Sequence, residues 1–508
     1  MKYKFGPWTP DLPSMVVGGD GLLVARNVVP RKAGYGPLPG FEAGAYGYLD
    51  QRPRGHIAAL ANNGIPHNFA GDANCLYHLG SYTLSDPVGT IVDASGGLYT
   101  MAEKDGWEFV RFGNSVFAVT PDHEIQYYNM QSSTVFADIT DDRSSPKARH
   151  VGVLGSHMIV GNTYDVRDGK VPGRIWWPAI GNPFSWPIPG TDNAMIAQSG
   201  YQDLEGEGGE VMGVTSGAEV SAIFQEGQVS RMQYIGGDLM FAIDAVETDR
   251  GLLIPGLAIP RGREVLYLAE DGWHIFDYTQ SHPVGEDVIN RTFFADLDSS
   301  YLGRLSWTTD PKLPLSYILY PGSGNVSGTP NKMLIFNWVT RAFADAAPGN
   351  LEMVCQMMPP VASLDADPQV EDLDAVDPYT SFDDRESAYN ARVFAGYNTS
   401  NILGTFSGAN LTGRLDHGDL ELAAGRRSHL SEVRPLVQGS SATVQVIGLD
   451  TQEETAVDAD YGAVSRQARD GACKFRVDAR YHRIRTNLPA GFTSAIGVDV
   501  HSMPTGVY

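Results

Sequence analysis

The stretch Glu264–Tyr278, EVLYLAEDGWHIFDY, decides how the rest of the chain is read. Two short apolar bursts rich in Val, Ile, Tyr and Phe flank Glu270-Asp271-Gly272, a trio suited to a tight turn. Strand, turn and a return strand carrying aromatic residues together describe a β-hairpin.

The same grammar recurs on both sides. VFAVT (Val116–Thr120) leads through Pro121-Asp122 to EIQYYN, AIFQ (Ala222–Gln225) leads through Glu226-Gly227 to VSRMQY, and KMLIFNWVTRAF (Lys332–Phe343) carries its own turn. Further bursts are Phe109–Val119, Val151–Val160 and Ser316–Tyr320. Turn signals fall at Gly71-Asp72, Pro121-Asp122, Asp168-Gly169, Glu226-Gly227, Asp271-Gly272, Gly322 and Tyr397-Asn398. Their spacing is mostly about 45 to 60 residues, near the roughly 40 to 50 of a four-stranded propeller blade. The expected fold is therefore all-β: a six- or seven-bladed β-propeller with an extended N-terminal arm and a smaller C-terminal β-sandwich-like domain. Two stacked sandwiches are the competing architecture, but the recurrent spacing favours blades. The boundaries expected are residues 1–50 for the arm, 51–413 for the propeller with an insertion at 361–390, and 414–508 for the C-terminal β-domain.

Composition agrees with this reading. With 57 Gly and 31 Pro among 508 residues, long helices and coiled coils are disfavoured. A hydrophobic fraction of 42% is enough to offset the ordering entropy. No run of about 18 apolar residues marks a membrane span. The opening MKYKFGPWTPDLPS lacks the apolar region of a secretory signal, so the Asn-x-Ser/Thr sequons at Asn290, Asn325, Asn398 and Asn410 read as chance matches. Cys75, Cys355 and Cys473 are too scattered for a disulfide framework or a zinc knuckle and read as small buried hydrophobes.

The formal charge of −23, from 60 acids against 37 bases, opposes a surface built to grip a polyanion. Nine acids crowd the insertion Val361–Asn390: Asp365, Asp367, Glu371, Asp372, Asp374, Asp377, Asp383, Asp384 and Glu386, against Arg385 alone. It reads as a solvated loop. A calcium loop would need a glycine to turn the chain among alternating acids, and Asp365-Ala-Asp367-Pro has none. Residues 414–508 carry twelve acids and eleven bases. In Tyr481–Arg485, YHRIR, alternation sets Tyr481, Arg483 and Arg485 on one strand face and His482 and Ile484 on the other. With the adjoining Arg480, this face is a candidate subunit contact.

Catalytic signatures are missing from the sequence. There is no G-x-S-x-G elbow, H-E-x-x-H pair, phosphate-binding G-x-x-x-x-G-K-[ST] loop or zinc-deaminase pattern. No catalytic residue, cofactor or metal is expected, and the chain reads as a non-enzyme. Because propellers can hydrolyse glycosides, a carbohydrate-binding or glycoside-hydrolysing propeller is the alternative. Trp176, Trp177 and Trp186 are the most concentrated aromatic group available to stack a sugar, though a strand-rich chain more often uses such residues in its core.

Several stretches taken in order resemble one family. These are PDLPSMVVGGDGLLVARNVVPRKAGYGPLPGFE (Pro10–Glu42), GRIWWPAIGNPFSW (Gly173–Trp186), SRMQYIGGDLMFAI (Ser230–Ile243), ETDRGLLIPGLAI (Glu247–Ile259), AEDGWHIFDYTQSHPVGEDVINRTFFADLD (Ala269–Asp298), FNWVTRAF (Phe336–Phe343) and RYHRIRTNLPAGFTSAIGVDV (Arg480–Val500). Their succession resembles the tail nozzle or hub proteins of short-tailed bacteriophages, also called packaged-DNA stabilisation proteins or tail tubular protein B-like proteins. The resemblance implies a virion tail protein made in the host cytoplasm, with about six copies in a ring beneath the portal and adaptor ring. Packaged DNA would be retained above that ring and pass through its lumen on infection. The acidic insertion matches nothing in that family. A DNA conduit lined with Lys or Arg would hold its cargo, so acidic residues facing the bore, with the insertion lining or gating it, are expected. The arm, with Pro7, Pro10, Pro13, Pro30, Pro37 and Pro39, is expected to run over the propeller or a neighbouring subunit.

Overall fold

The computed structural model describes residues 1–80, 90–139, 145–204, 206–359, 392–451, 461–462 and 464–506. Its decisive hairpin pairs Glu264–Ala269 with Gly272–Phe276, closed by Ala269 opposite Gly272. Gly272 has φ +131°, and the Asn290 side-chain amide fills the space a Cβ would need. Only glycine fits there. Trp273 follows, fully buried.

Outer strands complete this hairpin into a four-stranded antiparallel sheet, Ala258–Arg261 to Ser281–Pro283. The arrangement repeats: the described residues form six separate four-stranded sheets and a seventh four-stranded meander within a nine-stranded sheet. First strands of the seven units are Gly55–Leu60, Glu108–Phe112, Lys147–Leu154, Val211–Val214, Ala258–Arg261, Ser306–Thr309 and Met353–Met357. First strands pack together from the first unit to the fourth and from the fifth to the seventh, the Gly256 N–H donates to the Met212 carbonyl at 2.8 Å between the fourth and fifth, and Met353–Met357 of the seventh packs on Gly55–Leu60 of the first, so the ring closes. This is a β-propeller. Each of the seven turn signals read from the sequence lies between the second and third strands of a unit. Gly, Asp and Asn suit such connections because they tolerate the backbone conformations of tight turns.

The seventh unit takes its fourth strand from the other end of the chain. Pro39–Tyr48 pairs with Ile402–Asn410, so the N-terminal region closes the ring. Without it Ile402–Asn410 would be the outer edge of a three-stranded unit.

The first 50 residues, expected as an extended arm running over the propeller or a neighbouring subunit, are built into the sheets of the chain. Lys2–Lys4 pairs with Ser494–Gly506, while Val28–Pro30 and Tyr35–Pro37 extend the same six-stranded sheet with Arg427–Gln438 and Cys473–Ala479. Leu22–Arg26 sits between Ala342–Ala346 of the sixth unit and Gly413–His417. The nine-stranded sheet thereby runs without a break from the sixth unit through Tyr481–Leu488 and Thr443–Leu449 to Ser465–Arg466. The prolines are accommodated because this region alternates short strands with bends rather than forming one long strand.

One buried cluster likewise runs from the fifth and sixth units into the C-terminal sheets. Leu266, Trp273, Phe336 and Phe343 of the propeller belong to the same buried cluster as Leu430, Val444, Ile484 and Val498 of the C-terminal sheets. The C-terminal β-domain thus shares its sheet, its core and four N-terminal strands with the rest of the molecule. Cys355 and Cys473 are buried and Cys75 half-buried, all as free thiols. Among the described residues no helix is long and apolar enough to cross a membrane.

Candidate functional site

A charged cluster forms where the loops entering four first strands converge. Arg52 and Arg54 precede the first strand of unit 1, Glu103 that of unit 2, Arg304 that of unit 6 and Glu352 that of unit 7. The Glu103 carboxylate accepts from Arg54 Nη2 at 2.8 Å, from Arg304 Nη2 at 3.0 Å and from Arg52 Nη2 at 3.4 Å. Glu352 is buried, with Oε1 3.8 Å from Arg52 Nε and 3.6 Å from Arg304 Nη1.

Electrostatics follow from this crowding. Burial, then the neighbouring Arg54, pushes the Arg52 guanidinium down to about 10. Burial raises the Glu352 carboxyl, and the attraction of Arg52 and Arg304 only partly opposes it. Burial also acts to raise Glu103, but its arginine partners more than offset that and hold it below the usual carboxylate range.

The cluster bridges units on opposite sides of the ring, and backbone reinforces the closure. A Cβ on Gly303 would lie 2.8 Å from Lys104 Cα, closer than side chains tolerate. The Glu108 carboxylate of unit 2 lies 2.7 Å from His150 Nδ1 and accepts from the Val151 N–H at 3.1 Å. A Cβ on Gly256, ahead of unit 5, would lie 3.1 Å from Glu108 Oε1, and the Gly256 carbonyl accepts from Trp307 Nε1 at 2.7 Å. The propeller axis is thus bridged by side chains and close-packed backbone.

The residues singled out from sequence fall elsewhere. Arg483 binds Asp419 through Nε at 2.9 Å and Nη2 at 2.8 Å, and Arg485 Nε donates to Asp416 at 3.2 Å. Arg485 also stacks over Tyr461, its guanidinium carbon 3.6 Å from the ring centroid. Both arginines of this candidate subunit contact therefore have acidic partners inside the chain, as a strand in the middle of a sheet allows. Arg480 lies beside the Tyr481 ring, and its Nε is buried with no hydrogen-bond partner. His482 and Ile484 are fully buried, as the alternation requires. Asp365, Asp367, Glu371, Asp372, Asp374, Asp377, Asp383, Asp384 and Glu386 lie outside the described residues. Trp176, Trp177 and Trp186 are buried, Trp176 edge-on to Trp186 and Trp177 against Phe241. Among the described residues no group of His, Cys, Asp or Glu is placed to hold a metal ion.

Sequence reading missed Arg52, Arg54, Glu103, Arg304 and Glu352 because up to 300 residues separate them. The available signal was positional: each lies in the few residues ahead of a unit's first strand.

No family profile and no curated protein sequence matches the chain. Solved structures with a similar chain path include BamB from Moraxella catarrhalis, with TM-score 0.35 and 10% identity over 74% of this chain and 92% of that one. Virginiamycin B lyase from Staphylococcus aureus gives 0.33 and 11%, over 62% and 92%. The WD40 domain of Neurospora crassa Pan2 gives 0.32 and 7%, over 61% and 90%. At such distances only the fold is in common.

Proposed function

We propose that this protein is a structural component of a bacteriophage virion tail, a nozzle or hub subunit whose copies form a ring that closes the DNA conduit and opens on infection. The observation that carries the reading is the single nine-stranded sheet, which ties the N-terminal strands, the propeller and the C-terminal sheets into one body. A subunit holding back pressurised DNA needs such continuity, because load then passes through ladder hydrogen bonds rather than a hinge. The ordered succession of sequence motifs supports the same assignment.

The bridged propeller axis adds a constraint. DNA would pass between copies, in the ring's lumen, and not through any one propeller. The net charge of −23 suits a wall that lets a polyanion slide by. In this reading the partners are further copies of the chain, about six to a ring, with portal, adaptor and other tail proteins above and around it, and the site of action is the virion.

Electron microscopy of the purified full-length protein, alone and with a portal–adaptor assembly, tests this. Closed rings with an open lumen are expected. Monomers under every condition, with no binding to the assembly, would remove the proposal.

A further inference from the structure

We propose that the cluster at the propeller axis is an oxyanion receptor, in which Arg52, Arg54 and Arg304 hold the Glu103 carboxylate as an internal occupant that an external phosphate or carboxylate displaces. This inference is independent of the nozzle reading, since it concerns one chain.

The charge balance points to it. Three guanidinium groups face two carboxylates, leaving a local excess of one positive charge in a chain of net −23. The two carboxylates are not equivalent. Glu352 has a side chain only 7% exposed, whereas that of Glu103 is 62% exposed. Glu103 is therefore free to swing into solvent by side-chain rotation alone, and doing so would leave three convergent arginines without their shared acceptor.

Unused donors mark the same place. The Arg54 side chain is 8% exposed, and its Nε has no hydrogen-bond partner; Arg304 Nε is likewise buried and unpaired. Glu352 Oε1, though near two guanidinium groups, makes no hydrogen bond. Buried donors of this kind are costly unless an acceptor comes to them. A phosphate or carboxylate oxygen suits the planar guanidinium fork, which takes oxyanions in pairs of hydrogen bonds. The position is also fixed: Arg54 Nη1 donates to the Ala102 carbonyl at 2.6 Å and to the Asp105 carbonyl at 3.4 Å, so it is oriented before any ligand arrives.

The test is thermal unfolding of the full chain in inorganic phosphate and in acetate, each against sodium chloride of equal ionic strength. A ligand that binds only the folded state stabilises it by RT ln(1 + L/Kd), with L the free ligand concentration, and so raises the midpoint as that concentration rises above Kd. Wild type is expected to show a rise in millimolar phosphate that chloride does not give. Glu103→Gln, lacking the internal competitor, is expected to start from a lower midpoint and to respond to about tenfold less phosphate. Arg304→Gln, with folding checked by circular dichroism, is expected to lose the response. A rise with phosphate alone supports a phosphate ligand, and an equal rise with acetate supports a carboxylate ligand such as an acidic side chain. Should Glu103→Gln respond no better than wild type, or should folded Arg304→Gln keep the full response, the receptor assignment is overturned.

Discussion

The carboxylate of Asp11 accepts hydrogen bonds from the Thr292 backbone N–H at 2.9 Å and its hydroxyl at 2.7 Å, joining residues 281 positions apart. It also accepts from the Arg291 N–H at 2.7 Å, so an N-terminal residue supplies the cap for helix Asn290–Asp296. The helix has no side-chain cap of its own. Replacing Asp11 by Ala should cost about 1 to 2 kcal/mol, the usual worth of a cap. Urea unfolding of Asp11→Ala against wild type reads this directly, and an unchanged midpoint would contradict it.

Removing the N-terminal region should be far more damaging than its length suggests. Without residues 1–50 the seventh unit loses its fourth strand and the nine-stranded sheet loses Leu22–Arg26, the strand between Ala342–Ala346 and Gly413–His417. A chain of residues 51–508 is expected to lack a cooperative unfolding transition and to aggregate through its exposed edges. Calorimetry and light scattering decide it; a sharp transition near the wild-type midpoint would show that the strands are dispensable.

Gly303 lies where the loop ahead of the sixth unit crosses the Lys104 backbone. Gly303→Ala should force the two loops apart at a cost of about 1 to 3 kcal/mol, as overpacking does. The same shift should disturb the bond from Arg304 Nη2 to Glu103 nearby. A lowered thermal midpoint, together with a weakened phosphate response, is the expected pair of results.

Several buried histidines give the protein an acid limit. Burial pushes His56, His67, His417 and His482 down to about 4, from an ordinary value of 6.5. Unfolded, these rings take up protons as pH falls below about 6.5; folded, they stay neutral until about 4. Stability should therefore be present in full above pH 6.5 and fall as pH drops through that window. His417 is fully buried against Phe5. His417→Phe should flatten part of the fall when urea midpoints are compared from pH 7.5 to 4. A variant profile parallel to wild type would assign the loss to other groups.

Arg483→Ala removes the guanidinium partner of Asp419, a residue only 5% exposed that otherwise keeps the Ser14 hydroxyl. Breaking a buried pair from one side should cost about 3 kcal/mol. Adding Asp419→Ala should recover part of it, because the stranded charge is then gone. Measuring both on the isolated chain separates this role from one at a subunit boundary, which would leave the single chain's stability unchanged.

What the sequence determined by itself is the local grammar. Asp271-Gly272 and Asp168-Gly169 specify turns because their glycines sit at positive φ, which few other residues reach, and the bursts beside them specify strands that pack on two faces. Repeated along the chain, these signals were enough for a propeller. Tertiary structure alone decided which distant strands complete the ring, that Leu22–Arg26 is shared between two halves of one sheet, and that Arg483 and Arg485 are used up inside the chain. It alone brought Arg52, Arg54, Glu103, Arg304 and Glu352 together. Strand pairing and ion pairing depend on where the closed ring sets the loop ends in space, and no spacing in the sequence encodes a distance across that ring.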